Sequence, residues 1–310
     1  MTIDDEVLSN EEKISFALRS LYHSRGYQPY RMSKFEEYEL YMKNKDFLLS
    51  PEVITFTDTN GKLMALKPDV TLSIVRSSRP QAGEVQKIYY DENVYRVSES
   101  SRRFREIRQA GLECLGAVDG RCIAEVLSLA LESLRVISED ARLCVSLLGV
   151  VEERLDALAL SGDARREVLR CMGGKTVHEL RTVCESAGLS PADTERLARL
   201  TLCGGAPGDA LSELREIGCS ESALSEVARL AESLPAEASG RVCLDFSVLG
   251  DMRYYNGIAF QGYVRGVPSS VLSGGSYDRL LRRMGRPGSG VGFACYLDKL
   301  ERLEEVQSHA

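Results

Sequence analysis

The chain has 310 residues, 44% apolar and 27% charged, with a formal net charge of −7. That length suits one large or two modest soluble domains, and the acidic balance leaves room only for a local nucleic-acid patch, not a broad basic face. Nine cysteines without a C-x-x-C pair predict reduced structural thiols, and three histidines (His23, His178, His309), no two of them four residues apart, speak against a histidine zinc site or a catalytic triad.

The acidic start, Met1 to Glu6, lacks the basic and apolar regions of a signal peptide, and no apolar run reaches 18 residues. The expected location is the cytoplasm. Ile14, Ala17, Leu18, Leu21 and Tyr22 recur at spacings of three and four, which predicts a helix over 10–24 stopped by Gly26. Strand-like composition follows at 62–66, 86–90, 92–97 and 104–116, with Asp91-Glu92-Asn93 read as a turn. Helical spacing returns over 119–138, then a buried strand over 143–150. From 151 to 237, Leu, Ala, Glu and Arg dominate between glycine breaks, which predicts a helical insertion of four to six helices. Strands are expected at 241–247, 254–265 and 291–297, and helices at 277–284 and 298–306. Strands dominate without regular βα alternation, so the expected class is α+β, with an antiparallel sheet flanked by helices. The expected core is 1–150 plus 238–310, interrupted by the insertion.

The sequence lacks a G-x-x-x-x-G-K-[ST] phosphate loop, a G-x-S-x-G elbow and an H-E-x-x-H helix. Gly288 to Gly292 has the wrong spacing for a dinucleotide fingerprint and reads as a turn into a strand. Four other segments stand out: Leu66 to Arg76; Tyr95-Arg96 with Phe104 to Gly116; Arg253 to Phe260; and Gly274 to Leu280 with Val291 to Ala294. Together, in this order, they resemble the class II core of histidyl-tRNA synthetase over nearly the whole chain. The resemblance implies a histidine pocket. Asp69, Thr71 and Gln109 offer acceptors to an α-ammonium. Glu113 and the Tyr255 hydroxyl suit the two ring nitrogens of an imidazole. Arg96 suits a carboxylate or phosphate, and Tyr254 and Tyr277 offer aromatic walls.

The departures from the family are as informative. The synthetase keeps an arginine five residues before the second tyrosine of its Tyr-Tyr pair; here that position is Gly250. Loss of such a cation typically removes ~10²–10³ in rate. Arg253, three residues on, would face the other side of an extended strand. The family's Glu-Arg reads Asp298-Lys299, and lysine lacks the planar fork that stacks on a base. Ser98 replaces a glutamate, while Arg103 and Arg105 stay as anion-binding candidates. Ser33 stands where the dimer motif has proline, which weakens that motif without removing the expectation of a dimer. The chain ends soon after the last motif, so no anticodon-binding domain and no tRNA partner are expected. No catalytic residue, metal or cofactor is expected either. These features resemble the regulatory subunit of short-form ATP phosphoribosyltransferase, which implies a catalytic-subunit partner and L-histidine as effector. Two alternatives are an enzyme that adenylates an amino acid, and an RNA-binding module using Arg102, Arg103, Arg105, Arg108, Arg279, Arg282 and Arg283.

Overall fold

The computed structural model describes residues 7–48, 52–97, 102–234, 238, 240–250 and 252–300. Helix α1 (Asn10–Ser24) opens on a reciprocal cap: the Ser9 hydroxyl accepts from the Glu12 N–H, and the Glu12 carboxylate accepts from the Ser9 N–H. Next come β1 (Gln28–Pro29), β2 (Phe35–Glu37), α2 (Tyr38–Lys43), β3 (Thr55–Thr57), β4 (Leu63–Leu66) and α3 (Thr71–Ser77). Two long strands follow, β5 (Val85–Val97) and β6 (Phe104–Gly116), then α4 (Gly120–Ile137) and β7 (Ala141–Leu147). The helical stretch holds α5 (Leu148–Asp156), α6 (Gly162–Gly173), α7 (Val177–Ser186), α8 (Pro191–Leu202), the short β8 (Gly204–Gly205), α9 (Pro207–Ile217) and α10 (Glu221–Ser233). The core resumes with β9 (Val242–Asp245), β10 (Ile258–Val264), β11 (Leu272–Ser276), α11 (Asp278–Arg283) and β12 (Ser289–Tyr296).

The main sheet has nine strands in the order β1-β5-β6-β12-β11-β10-β7-β9-β8. Its centre is antiparallel, as the composition predicts. Two pairings depart from that expectation: β1 runs parallel to β5, and β7 runs parallel to β9. Both join segments separated by helices, a connection long enough to reverse the chain without a hairpin. A separate three-stranded sheet, β2-β4-β3, stands apart. The helices α1 and α4 pack on one face of the main sheet through Leu18, Tyr22, Leu127, Leu129 and Leu134, all buried. The opposite face carries a second cluster, with Val70, Leu72, Ile74, Tyr254, Tyr277 and Leu280. Each strand serves both faces because its side chains alternate.

The turn expected at Asp91-Glu92-Asn93 does not form; all three lie inside the continuous β5. Their polar groups find lateral partners instead of capping a reversal. Arg108 on β6 donates to Asp91 at 2.9 and 3.0 Å and also reaches Ser15 and Glu11 on α1. The fully buried Lys67 amine donates to Glu92 at 2.5 Å, and Asn93 pairs with Glu106. The strand expected over 254–265 starts only at Ile258, and residues 252–254 form a turn. Of the expected terminal helix, Leu297–Lys299 form one 3₁₀ turn, and 301–306 lie outside the described residues, as do Ser98 and 1–6.

Arg108 therefore pins α1 to the β5–β6 pair through a charge-assisted fork. Arg108→Leu should leave the half-buried Asp91 without its cation and lower stability by about 1–3 kcal/mol, read as a shifted midpoint in urea unfolding with an unchanged slope.

Candidate functional site

The four motif segments meet because of register. Ile88 pairs with Glu113, Glu113 with Gly292, Gly292 with Gly275, and Gly275 with Ala259, one row across five strands. Alternation along β6 sends Gln109, Gly111 and Glu113 to one face, while Ala110, Leu112 and Cys114 join the core beneath α1 and α4. Gly292 is required here: the Glu113 carboxylate occupies the space that a Cβ at 292 would take.

Glu113 is 2% exposed and held at both oxygens. Thr71 donates to Oε1 at 2.7 Å and Tyr277 donates to Oε2 at 2.5 Å. Burial raises its pKa to about 8, against the opposing pull of the two hydroxyls. The carboxyl thus keeps its proton at neutral pH, and in that form one of the two hydroxyls accepts from it instead of donating. Asp69 is also buried and raised by desolvation, with Arg96 opposing; one of its oxygens accepts from the Leu72 N–H at 2.8 Å, opening α3. Arg96 on β5 donates from Nε to the Pro68 carbonyl at 2.8 Å. The Tyr254 and Tyr255 rings meet edge to face with centroids 4.8 Å apart.

All eight residues expected to form a histidine pocket, Asp69, Thr71, Arg96, Gln109, Glu113, Tyr254, Tyr255 and Tyr277, line one cavity. Its free volume is about 30 Å³, room for roughly two waters. An amino acid would need side chains to move first. Tyr277 is more than the expected aromatic wall, since its hydroxyl holds Glu113. Val70, Tyr90, Ser273, Gly292, Phe293, Ala294 and Tyr296 complete the lining. Phe293 and Ala294 lie in a motif segment without a predicted role; Ala294, two residues after Gly292 on β12, shares its face, and that period of two is the signal that could have found it. Ser273 and Tyr296 share a hydroxyl hydrogen bond at 2.5 Å.

The cavity adjoins a cleft of about 1200 Å³ between the core and α6, lined by Arg96, Arg105, Arg165, Arg170, Arg253, Arg279 and Lys299 among others. Much of this charge is matched. Arg105 pairs with Asp298 at 3.3 Å, Arg279 with Glu152 at 2.7 Å, and Arg170 with Glu167 and Glu179. Arg103 is exposed just before β6 and does not line the small cavity. Arg253 lies in the turn beside the cleft, not on the strand expected for it. Lys299 donates to the Ser270 carbonyl at 2.6 Å and sits 4.5 Å from the centre of the Tyr296 ring, its pKa lowered by burial.

The decisive position is Gly250. Its φ is +56°, a left-handed conformation costly for other residues, and a Cβ there would stand 2.8 Å from the Tyr255 ring. The site therefore lacks both the family's arginine and the space for its stem.

This sheet, with motif residues meeting on one face, is a class II synthetase-like core. The family described as histidyl-tRNA synthetase matches residues 3–300. The ATP phosphoribosyltransferase regulatory subunit of Moorella thermoacetica is 31% identical over 293 residues, covering 91% of this chain and 75% of that protein. A crystal structure from Bacillus halodurans, described as an ATP phosphoribosyltransferase regulatory subunit/histidyl-tRNA synthetase, superposes with a TM-score of 0.83 at 25% identity, covering 98% of this chain and 81% of that one. The ATP phosphoribosyl transferase (HisG:HisZ) complex from Thermotoga maritima shares the fold, with a TM-score of 0.72 at 19% identity over 94% of this chain and 98% of that one. The chain belongs to the histidyl-tRNA synthetase family and, within it, to the ATP phosphoribosyltransferase regulatory subunits.

The raised Glu113 pKa has a pH consequence. The unfolded carboxyl titrates near 4.3, while the folded one holds its proton up to about 8. Its contribution to stability is thus complete below the unfolded value and lost as pH rises through the folded one. Glu113→Gln, neutral at every pH, should gain on the parent between about pH 5 and 8 by about 1 kcal/mol or more. Parallel thermal or urea melts at the two pH values read this difference; equal pH slopes would contradict a protonated Glu113.

Proposed function

We propose that this chain is the non-catalytic regulatory subunit of a short-form ATP phosphoribosyltransferase. It activates a separate catalytic subunit and carries that enzyme's feedback response to histidine in the first step of histidine biosynthesis. The observation that carries this reading is the Gly250 position, closed by the Tyr255 ring beside a retained set of recognition residues. Adenylation would need a preorganised cation at the developing charge, and a side chain cannot enter there without moving Tyr255. The regulatory names of the relatives, and the two-subunit complex sharing the fold, support the same partner.

L-Histidine would enter by opening the cavity. Its imidazole N–H replaces the Tyr277 hydroxyl on Glu113, and Tyr255 meets the other ring nitrogen. Asp69, Thr71 and Gln109 receive the ammonium, and Arg96 the carboxylate. Because an imidazole N–H prefers a charged acceptor, binding takes the proton off Glu113. A closed cavity that opens only around its ligand supplies two states with different affinities, which any allosteric effect requires. Self-association as a dimer belongs to the same reading. It is supported by the exposed Phe35, Phe56 and Leu63 on the small sheet, with Phe35 and Phe56 rings 5.2 Å apart. Localisation to the cytoplasm accords with a biosynthetic role; among the described residues no helix is long and apolar enough to cross a membrane.

Three measurements test these statements. Co-purified with a short catalytic subunit, the chain should raise phosphoribosyl transfer, and histidine should suppress it. Glu113→Gln should weaken that suppression by roughly tenfold or more, the worth of a charged hydrogen bond. Complex formation without any change in rate would defeat the proposal. Histidine-dependent pyrophosphate exchange with ATP should stay at background, and Gly250→Arg should destabilise the fold without restoring exchange. Phe35→Glu should shift sedimentation from dimer to monomer if the small sheet forms the self-contact.

A further inference from the structure

Nine cysteines read as scattered structural thiols, yet the fold brings two of them together. Cys144 on β7 and Cys243 on β9 are register partners in the parallel pair, 99 positions apart in sequence, with sulfurs 3.1 Å apart. Both are half-buried, whereas Cys114, Cys171, Cys184, Cys203 and Cys295 are buried. Cys144 shares its face with Arg142 and Ser146, and Cys243 with Arg241 and Asp245, as strand alternation requires. Lys175, in the loop after α6, reaches the same face and pairs with Asp245 at 2.8 Å. The hydrogen bond from Cys144 lowers the Cys243 pKa, and Arg142 and Lys175 add positive charge. That favours a thiolate, the form that reacts.

The geometry permits a bond. Neighbouring strands lie about 4.8 Å apart, inside the Cα separation a disulfide spans. The sulfurs must approach by about 1 Å to reach bonding distance. Both sulfurs are half-exposed, and an exposed disulfide is more readily reduced than a buried structural one. Its position gives it a consequence. β7 is the last strand before the helices α6 to α10, and β9 is the first after them. A link between them closes the whole helical insertion into one loop and staples its two stems.

We propose that Cys144 and Cys243 are a redox-responsive pair that forms a reversible disulfide and fixes the root of the helical insertion, with a low-molecular-weight disulfide as oxidant. The Cys243 thiolate attacks one sulfur of the oxidant and releases one thiol. Cys144 then attacks Cys243 Sγ in the mixed disulfide and releases the second. Two protein thiols are oxidised by two electrons, the oxidant is reduced to two thiols, and the two protons leave with them.

The full chain incubated with oxidised glutathione should lose the mass of two hydrogens and two of its titratable thiols, with one cross-linked peptide joining Cys144 to Cys243. Dithiothreitol should reverse the change. Cys144→Ser should instead keep a glutathione adduct on Cys243, because the resolving thiol is gone. Proteolysis within 151–237 should slow several-fold in the oxidised chain. A stable adduct on Cys243 in the parent chain, a cross-link between other cysteines, or no thiol loss would overturn the pair. An unchanged digestion rate with the bond formed would overturn its role at the insertion.

Discussion

A carboxyl group without water around it organises the site. Glu113 sits mid-sheet, where an isolated charge would cost several kcal/mol. The protein answers in three ways: it keeps the proton, it supplies hydroxyls from Thr71 and Tyr277, and it removes the side chain at 292. The two hydroxyls and the glycine come from three different sequence segments, so the α3 start, the β11–α11 corner and β12 all meet at this one group.

That arrangement accounts for the small size of the cavity. Glu113 already has two internal hydroxyl partners, and any group entering the cavity must displace at least one of them. Under the proposed function, displacing those partners is the step that separates a bound form from the one described here.

The sequence carried the site better than it carried the strand boundaries. The motif residues come together because hydrophobic alternation on β6 and β12 and the glycines at 275 and 292 fix register, and both features are written in local composition. The continuous β5 was missed because Asp91, Glu92 and Asn93 have turn preferences on their own, and their partners Arg108, Lys67 and Glu106 arrive only with the tertiary fold. The parallel pairs β1–β5 and β7–β9 were missed for a related reason: the segments they join lie far apart in the chain. The same holds for Cys144 and Cys243. Gly250 reads in the sequence as a missing arginine, but its left-handed backbone and the ring beside it are properties of the folded chain alone.

The smallest strand has an outsized mechanical role. Gly204 and Gly205, between α8 and α9, hydrogen-bond to Leu244 and Asp245 and so occupy the rim of the nine-stranded sheet. Gly204 lies so near Leu244 that a methyl group would stand 2.7 Å from its carbonyl oxygen. Swinging the helices away would strip this two-residue cover and bare a row of amides and carbonyls, a surface that recruits stray chains. The helical region therefore shields this margin of the sheet, and two residues without side chains are what let it lie so close.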